Sequence, residues 1–118
     1  MSETARVIEA FTDATNRHDL DAMLALVSEQ VVFETTTPPD GDRLEGRAAV
    51  RAAWSQLFRE SPHAYVETEE LIVSDDRGTA RMRYVFDRED PEAGHVRAVD
   101  VLRVTAGLIS EKLSYVKG

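Results

Sequence analysis

An acid stands inside an otherwise apolar row near the end of the chain, where Val96, Ala98, Leu102 and Val104 alternate and Asp100 interrupts them. A carboxylate in such a row needs a compensating partner or a ligand, because burying it alone is costly. The sequence supplies a partner. Thr105-Ala106-Gly107, with glycine where a positive φ is needed, reads as a three-residue hairpin loop. Counting outward pairs Val104 with Leu108, Leu102 with Ser110, Asp100 with Lys112 and Ala98 with Ser114, all on one face by alternation. An ammonium beside it favours the ionised carboxylate, which suits Asp100 to accept a proton or anchor a ligand's donor. Two readings therefore stand side by side: a catalytic or ligand-orienting Asp100 steadied by Lys112, and a structural cross-strand ion pair.

The opposite face of this hairpin carries Val99, Val101, Ile109, Leu113 and Tyr115, edged by Arg97, Arg103 and Glu111. Two apolar faces imply two coverings, one by helices around a pocket and the other by a second copy, so a homodimer through the outer sheet face is expected. Upstream, Met82, Tyr84 and Phe86 share a strand face turned to the helices, with Arg81, Arg83 and Val85 opposite. Tyr84 needs a hydrogen-bond partner when buried, and a pocket provides one. Phe11, Phe33, Trp54, Phe58, Met82 and Leu102 complete an expected apolar wall around a small apolar molecule with oxygen functions.

Other chemistries find little support. The chain has no cysteine, hence no thiolate nucleophile or cysteine-ligated metal. His18, His63 and His95 lack metal-ligand spacing, so no metal is expected. Gly41 and Gly46 make no phosphate-binding loop, and no glycine-flanked nucleophile motif is present, so no cofactor is expected either. A formal charge of −8, with Arg43, Arg47, Arg51, Arg77, Arg81, Arg83, Arg97 and Arg103 interleaved with acids, argues against nucleic acid and anionic membranes as partners. Met1-Ser2-Glu3-Thr4 has no basic region leading into an apolar run, and the expectation is a cytoplasmic protein.

The elements that must position these residues follow from periodicity. The 118 residues, 42% apolar, suffice for one core, and one domain over 1–118 is expected. Val7, Ile8, Phe11 and Ala14 mark a helix from Thr4 to Asn16; Asp19 caps a second with Leu20, Met23, Leu24 and Val27 as its stripe. Val31 to Thr37 reads as a strand, and Val50, Ala53, Trp54, Leu57 and Phe58 as a third helix between Gly46 and Ser61-Pro62. From Ala64 the period becomes two, and turns divide the remainder into four strands. Glu67, Glu69 and Glu70 read as a solvated strand face. The expected fold is α+β, three N-terminal helices covering one face of a mostly antiparallel sheet, in the order α-α-β-α-β-β-β-β.

His18-Asp19-Leu20-Asp21, then Val31-Val32-Phe33-Glu34, then Leu44-Glu45-Gly46-Arg47-Ala48-Ala49-Val50-Arg51 resemble, in order and spacing, the SnoaL-like and ketosteroid-isomerase-like members of the nuclear transport factor 2-like superfamily. The resemblance implies a cone-like roll of the three helices on a curved sheet, around a pocket, in a superfamily that contains isomerases, cyclases, epoxide hydrolases, dehydratases and non-enzymes. It also implies that Asp100 aligns with an enolate-stabilising acid of the isomerase pattern. In that pattern the general base falls at Thr35 and the oxyanion-hole tyrosine at Phe11, neither of which can perform that work. Glu34 neighbours the base position but alternation turns it away. The remaining candidates are Asp100, Lys112 and Tyr84 for proton transfer, with Thr35 and Ser114 beside the apolar wall.

Overall fold

The computed structural model describes residues 2–117; Met1, one of the residues read for a leader, and Gly118 lie outside the described residues. Helix α1 (Glu3–Asn16) begins where Ser2 Oγ accepts from the Ala5 N–H at 3.1 Å, and it buries the Val7, Ile8, Phe11 and Ala14 stripe. His18 makes the turn at φ 53°, and Asp19 Oδ1 caps α2 (Leu20–Ala25) by accepting from the Ala22 N–H at 3.1 Å. That helix stops short of Val27, which instead opens β1 (Val27–Glu34). The Ile109 N–H reaches the Leu26 carbonyl at 2.8 Å and Val27 lies opposite Ile109, so pairing across the fold overrides the local helical period. Strand β1 thus starts four residues before Val31 and ends before Thr35.

A short β2 (Arg43–Glu45), not expected from the sequence, pairs antiparallel with β1. Helix α3 (Arg47–Glu60) follows Gly46 and closes before Ser61-Pro62, as its spacing predicts. Four strands complete the chain: β3 (Tyr65–Ser74), β4 (Arg77–Val85), β5 (His95–Thr105) and β6 (Leu108–Val116), with a 3-10 turn at Pro91–Ala93. The sheet order is β2-β1-β6-β5-β4-β3, antiparallel throughout except where β1 runs parallel to β6. Irregular register in β3, in the β1–β6 pair and in the β5–β6 hairpin bends the sheet around the helices. This is the expected α+β roll.

The β5–β6 hairpin corrects the proposed register. Ala106 and Gly107 both have positive φ, 51° and 78°, and form a two-residue turn in which Thr105 faces Leu108. A bulge beyond Val104–Ile109 then absorbs one further residue, so Arg103 faces Glu111 and Asp100 faces Ser114 rather than Lys112. The tighter turn and the bulge together displace the pairing by two residues. Side-chain parity is therefore kept beyond the bulge, and Asp100, Lys112 and Ser114 share the inner face. Parity is broken before it: Ile109, expected outside, is fully buried in the core, while Ser110, expected inside, hydrogen-bonds the Arg103 carbonyl at 3.3 Å.

Helix α1 lies across β3 to β6, and α3 lies over β1 and β2. Close approach of α1 to β4 requires a missing side chain. A Cβ at Gly78 would stand 2.3 Å from Ile8 Cδ1, and Ile8 is itself buried. Gly78→Ala is expected to destabilise the fold by about 1–3 kcal/mol through overpacking. Chemical denaturation of Gly78→Ala, Ile8→Val and the double variant checks this: removing Cδ1 should restore part of the loss, giving a coupling energy instead of additive effects.

Candidate functional site

Between the helices and the inner sheet face lies a cavity of about 460 Å³, and every residue that the sequence nominates for the site borders it. Helix α1 contributes Phe11, and α3 contributes Trp54 and Phe58. Strand β1 contributes Phe33, with Thr35 just beyond its end. Strands β4, β5 and β6 contribute Met82 and Tyr84, Asp100 and Leu102, and Lys112 and Ser114. Phe11 and Phe33 each tilt against Trp54, at 5.4 and 5.7 Å between ring centroids, so α1, α3 and β1 meet at one aromatic wall.

Asp100, 8% exposed, is the centre of the polar wall. Its Oδ2 lies 3.1 Å from Lys112 Nζ, and its Oδ1 accepts from Ser114 Oγ at 2.6 Å. Lys112 Nζ in turn donates to Ser114 Oγ at 3.0 Å and sits 4.6 Å from the Phe33 ring centroid. The ammonium is thus held by a carboxylate, a hydroxyl and an aromatic face, in a side chain only 15% exposed. Because Lys112 stands opposite Leu102, it reaches Asp100 diagonally, which leaves Ser114 as the direct cross-strand neighbour.

Tyr84 lies elsewhere along the cavity. It faces Val96 on β5, four residues from Asp100, an offset of roughly 13 Å at about 3.3 Å per residue. Burial raises its pKa above the ordinary tyrosine value, while a side-chain hydrogen bond with Ser61 partly opposes that rise. Tyr84 and Asp100 therefore border different stretches of the cavity. Thr35 Oγ1 is already engaged, accepting from the Asp42 N–H at 2.9 Å and donating to Thr37 Oγ1 at 3.2 Å. Glu34 turns outward to Arg43 at 3.2 Å, as alternation requires.

Several residues around the cavity escape sequence reading. Thr12 and Thr15 line it, yet their hydroxyls donate back to the Ile8 and Phe11 carbonyls at 3.0 and 2.8 Å. Asn16 fixes the end of α1 to β3: its Nδ2 donates to the Val66 carbonyl at 2.9 Å and its Oδ1 accepts from the Val66 N–H at 2.7 Å. His18 stacks on Phe58 at 4.3 Å and donates from Nε2 to the Ala64 carbonyl at 2.7 Å, so it shapes the turn and braces the wall. Leu57, Phe86 and Val116 are exposed and border the cavity, forming an apolar rim. Asn16, an amide at a helix end, and His18, whose place between the helices reads as turn-shaping, carry a local signal; the rest depend on contacts between distant segments.

Two measurements follow from this geometry. Lys112→Met leaves the Asp100 carboxylate without its cation and is expected to destabilise by up to about 3–5 kcal/mol, whereas Asp100→Asn with Lys112→Met should recover much of it in denaturant melts. Tyr84 ionises in the unfolded chain before it does in the folded one. Stability should therefore fall as pH rises through the ordinary tyrosine range, and Tyr84→Phe should flatten that fall.

The comparisons agree with this architecture. The SnoaL-like domain model matches residues 8–112. An NTF2-like protein of unknown function from Mesorhizobium loti is 38% identical, with 98% of this chain and 92% of that chain covered and a TM-score of 0.84. RV0760c from Mycobacterium tuberculosis, solved in complex with estradiol-17beta-hemisuccinate, is 25% identical, with 97% and 93% covered and a TM-score of 0.78. A SnoaL-like protein of unknown function from Burkholderia thailandensis, 21% identical with 98% and 95% covered and a TM-score of 0.81, shares the fold. No curated protein matches the chain. Its sequence match over most of its length, and the roll of helices and sheet around one cavity, make this chain a member of the SnoaL-like family.

Proposed function

We propose that the cavity binds a small apolar molecule bearing one or two oxygen functions and that Asp100 transfers a proton to or from it, as in isomerisation, cyclisation or dehydration. The observation that carries this reading is a carboxylate opening onto a largely apolar cavity, oriented by Lys112 and Ser114. A carboxylate already fixed in place needs no reorganisation at the moment of reaction. Lys112 holds and orients the carboxylate, Tyr84 donates a hydrogen bond further along the molecule, and Phe11, Phe33, Trp54, Phe58, Met82 and Leu102 exclude water. Thr35 and Ser114 border the ligand. RV0760c lends support to a small-molecule pocket, since that relative was solved in complex with estradiol-17beta-hemisuccinate.

Turnover of small carbonyl compounds and epoxides by the wild-type protein and by Asp100→Asn tests the proposal. Loss of a positioned acid or base should lower the rate by about 10²–10⁴-fold. Unchanged turnover and binding in Asp100→Asn would sink the catalytic role. The bonds to both Asp100 oxygens favour a second reading, a pocket that holds its ligand without altering it and keeps Asp100 and Lys112 as a structural pair. On that reading the wild-type protein binds these compounds and returns them unchanged.

The outer sheet face belongs to the same proposal as the surface of a homodimer. Tyr115 and Ile72, 57% and 58% exposed, lie on that face with Val99, Val101 and Leu113, while Arg81, Arg83 and Arg97 pair with Glu67, Glu69 and Glu70 alongside. Light scattering should give twice the chain mass, and Val101→Glu should halve it; a monomeric wild-type protein would refute the dimer.

A further inference from the structure

The polar wall of the cavity carries two opposite charges that satisfy each other. Asp100 and Lys112 are 3.1 Å apart, nearly withdrawn from water, and bridged by Ser114, which donates to one and accepts from the other. A third unit charge brought to this wall meets one like and one opposite charge at similar distances. Its attraction largely cancels while its own loss of hydration does not. A neutral group that both donates and accepts meets no such penalty. Among the described residues, Ser114 donates to Asp100 Oδ1 while Lys112 donates to Ser114 and lies against Asp100 Oδ2, contacts that exhaust neither the lone pairs of the carboxylate nor the N–H groups of the ammonium, so hydrogen-bonding capacity remains for a ligand.

We infer that the Asp100–Lys112–Ser114 cluster is a charge-neutral selector, which admits ligands with an uncharged hydroxyl, enol or carbonyl head and rejects carboxylates and ammonium groups. The inference rests on the cavity being a ligand site and is independent of turnover. It also assigns a latent specificity to each half of the pair. Without Lys112, the Asp100 carboxylate and the Phe33 ring face, 4.6 Å from the present ammonium, form a seat for a cationic head. Without the charge of Asp100, the Lys112 ammonium seeks an anion.

Three probes with the same tail separate these cases: 1-octanol, octanoate and octylammonium, titrated calorimetrically at neutral pH. Trp54, the chain's single tryptophan, lines the cavity and reports occupancy by fluorescence. The wild-type protein should bind 1-octanol at least about tenfold more tightly than either ion, Asp100→Asn should reverse this toward octanoate, and Lys112→Met toward octylammonium. Should a single variant fail to fold, Asp100→Asn with Lys112→Met supplies the test, since without charges on the wall the preference between octanoate and octylammonium should shrink to within about threefold while 1-octanol still binds. Binding of 1-octanol without discrimination against the ions in the wild-type protein would overturn the selector and leave the pocket reading intact. No binding of any probe to any of the proteins would overturn both.

Discussion

A carboxylate cannot be taken out of water without something to replace its hydration, and the inner architecture of this protein is arranged around that requirement at Asp100. Three strands answer it. Asp100 comes from β5, Lys112 and Ser114 from β6, and the Phe33 ring that faces the ammonium from β1. Phe33 then meets Trp54, which meets Phe11, so the polar cluster is continuous with the packing of α3 and α1. The parallel pairing of β1 with β6 makes this possible, because it sets Phe33 opposite Lys112.

Compensation by a paired charge is a different solution from protonation. An acid kept neutral would donate a hydrogen bond to a developing oxyanion, as the ketosteroid isomerase pattern has it. Thr35, which the resemblance sets at the general-base position, uses its hydroxyl within the adjoining loop, and Phe11, which it sets at the tyrosine position, packs on Trp54.

Much of this was legible in the sequence, for physical reasons that can be named. Helical spacing gave α1 and α3 almost to the residue, because their apolar stripes are uninterrupted. Alternation gave the inner row of β5, including its one acid. Elsewhere local rules met competing interactions. Val27 fits a helical stripe but is claimed by the sheet, and Ala106 adopts a positive φ that alanine does not advertise. The Asp100–Lys112 pairing was foreseen although its register was not, since a two-residue displacement preserves the face. The size of the cavity and its rim of Leu57, Phe86 and Val116 arise from segments brought together only by folding.

The acids of β3 have a consequence at the border of the sheet. Strand β3 is an outermost strand, and its unpaired backbone edge would ordinarily invite another chain to add on. Irregular register between Thr68 and Glu70 interrupts that edge, and Glu67, Glu69 and Glu70 crowd negative charge along it, drawn across to Arg83, Arg97 and Arg81. A strand approaching from outside meets a broken ladder and a run of carboxylates. Growth by edge-to-edge addition, the route toward fibrils, is thereby disfavoured at this border.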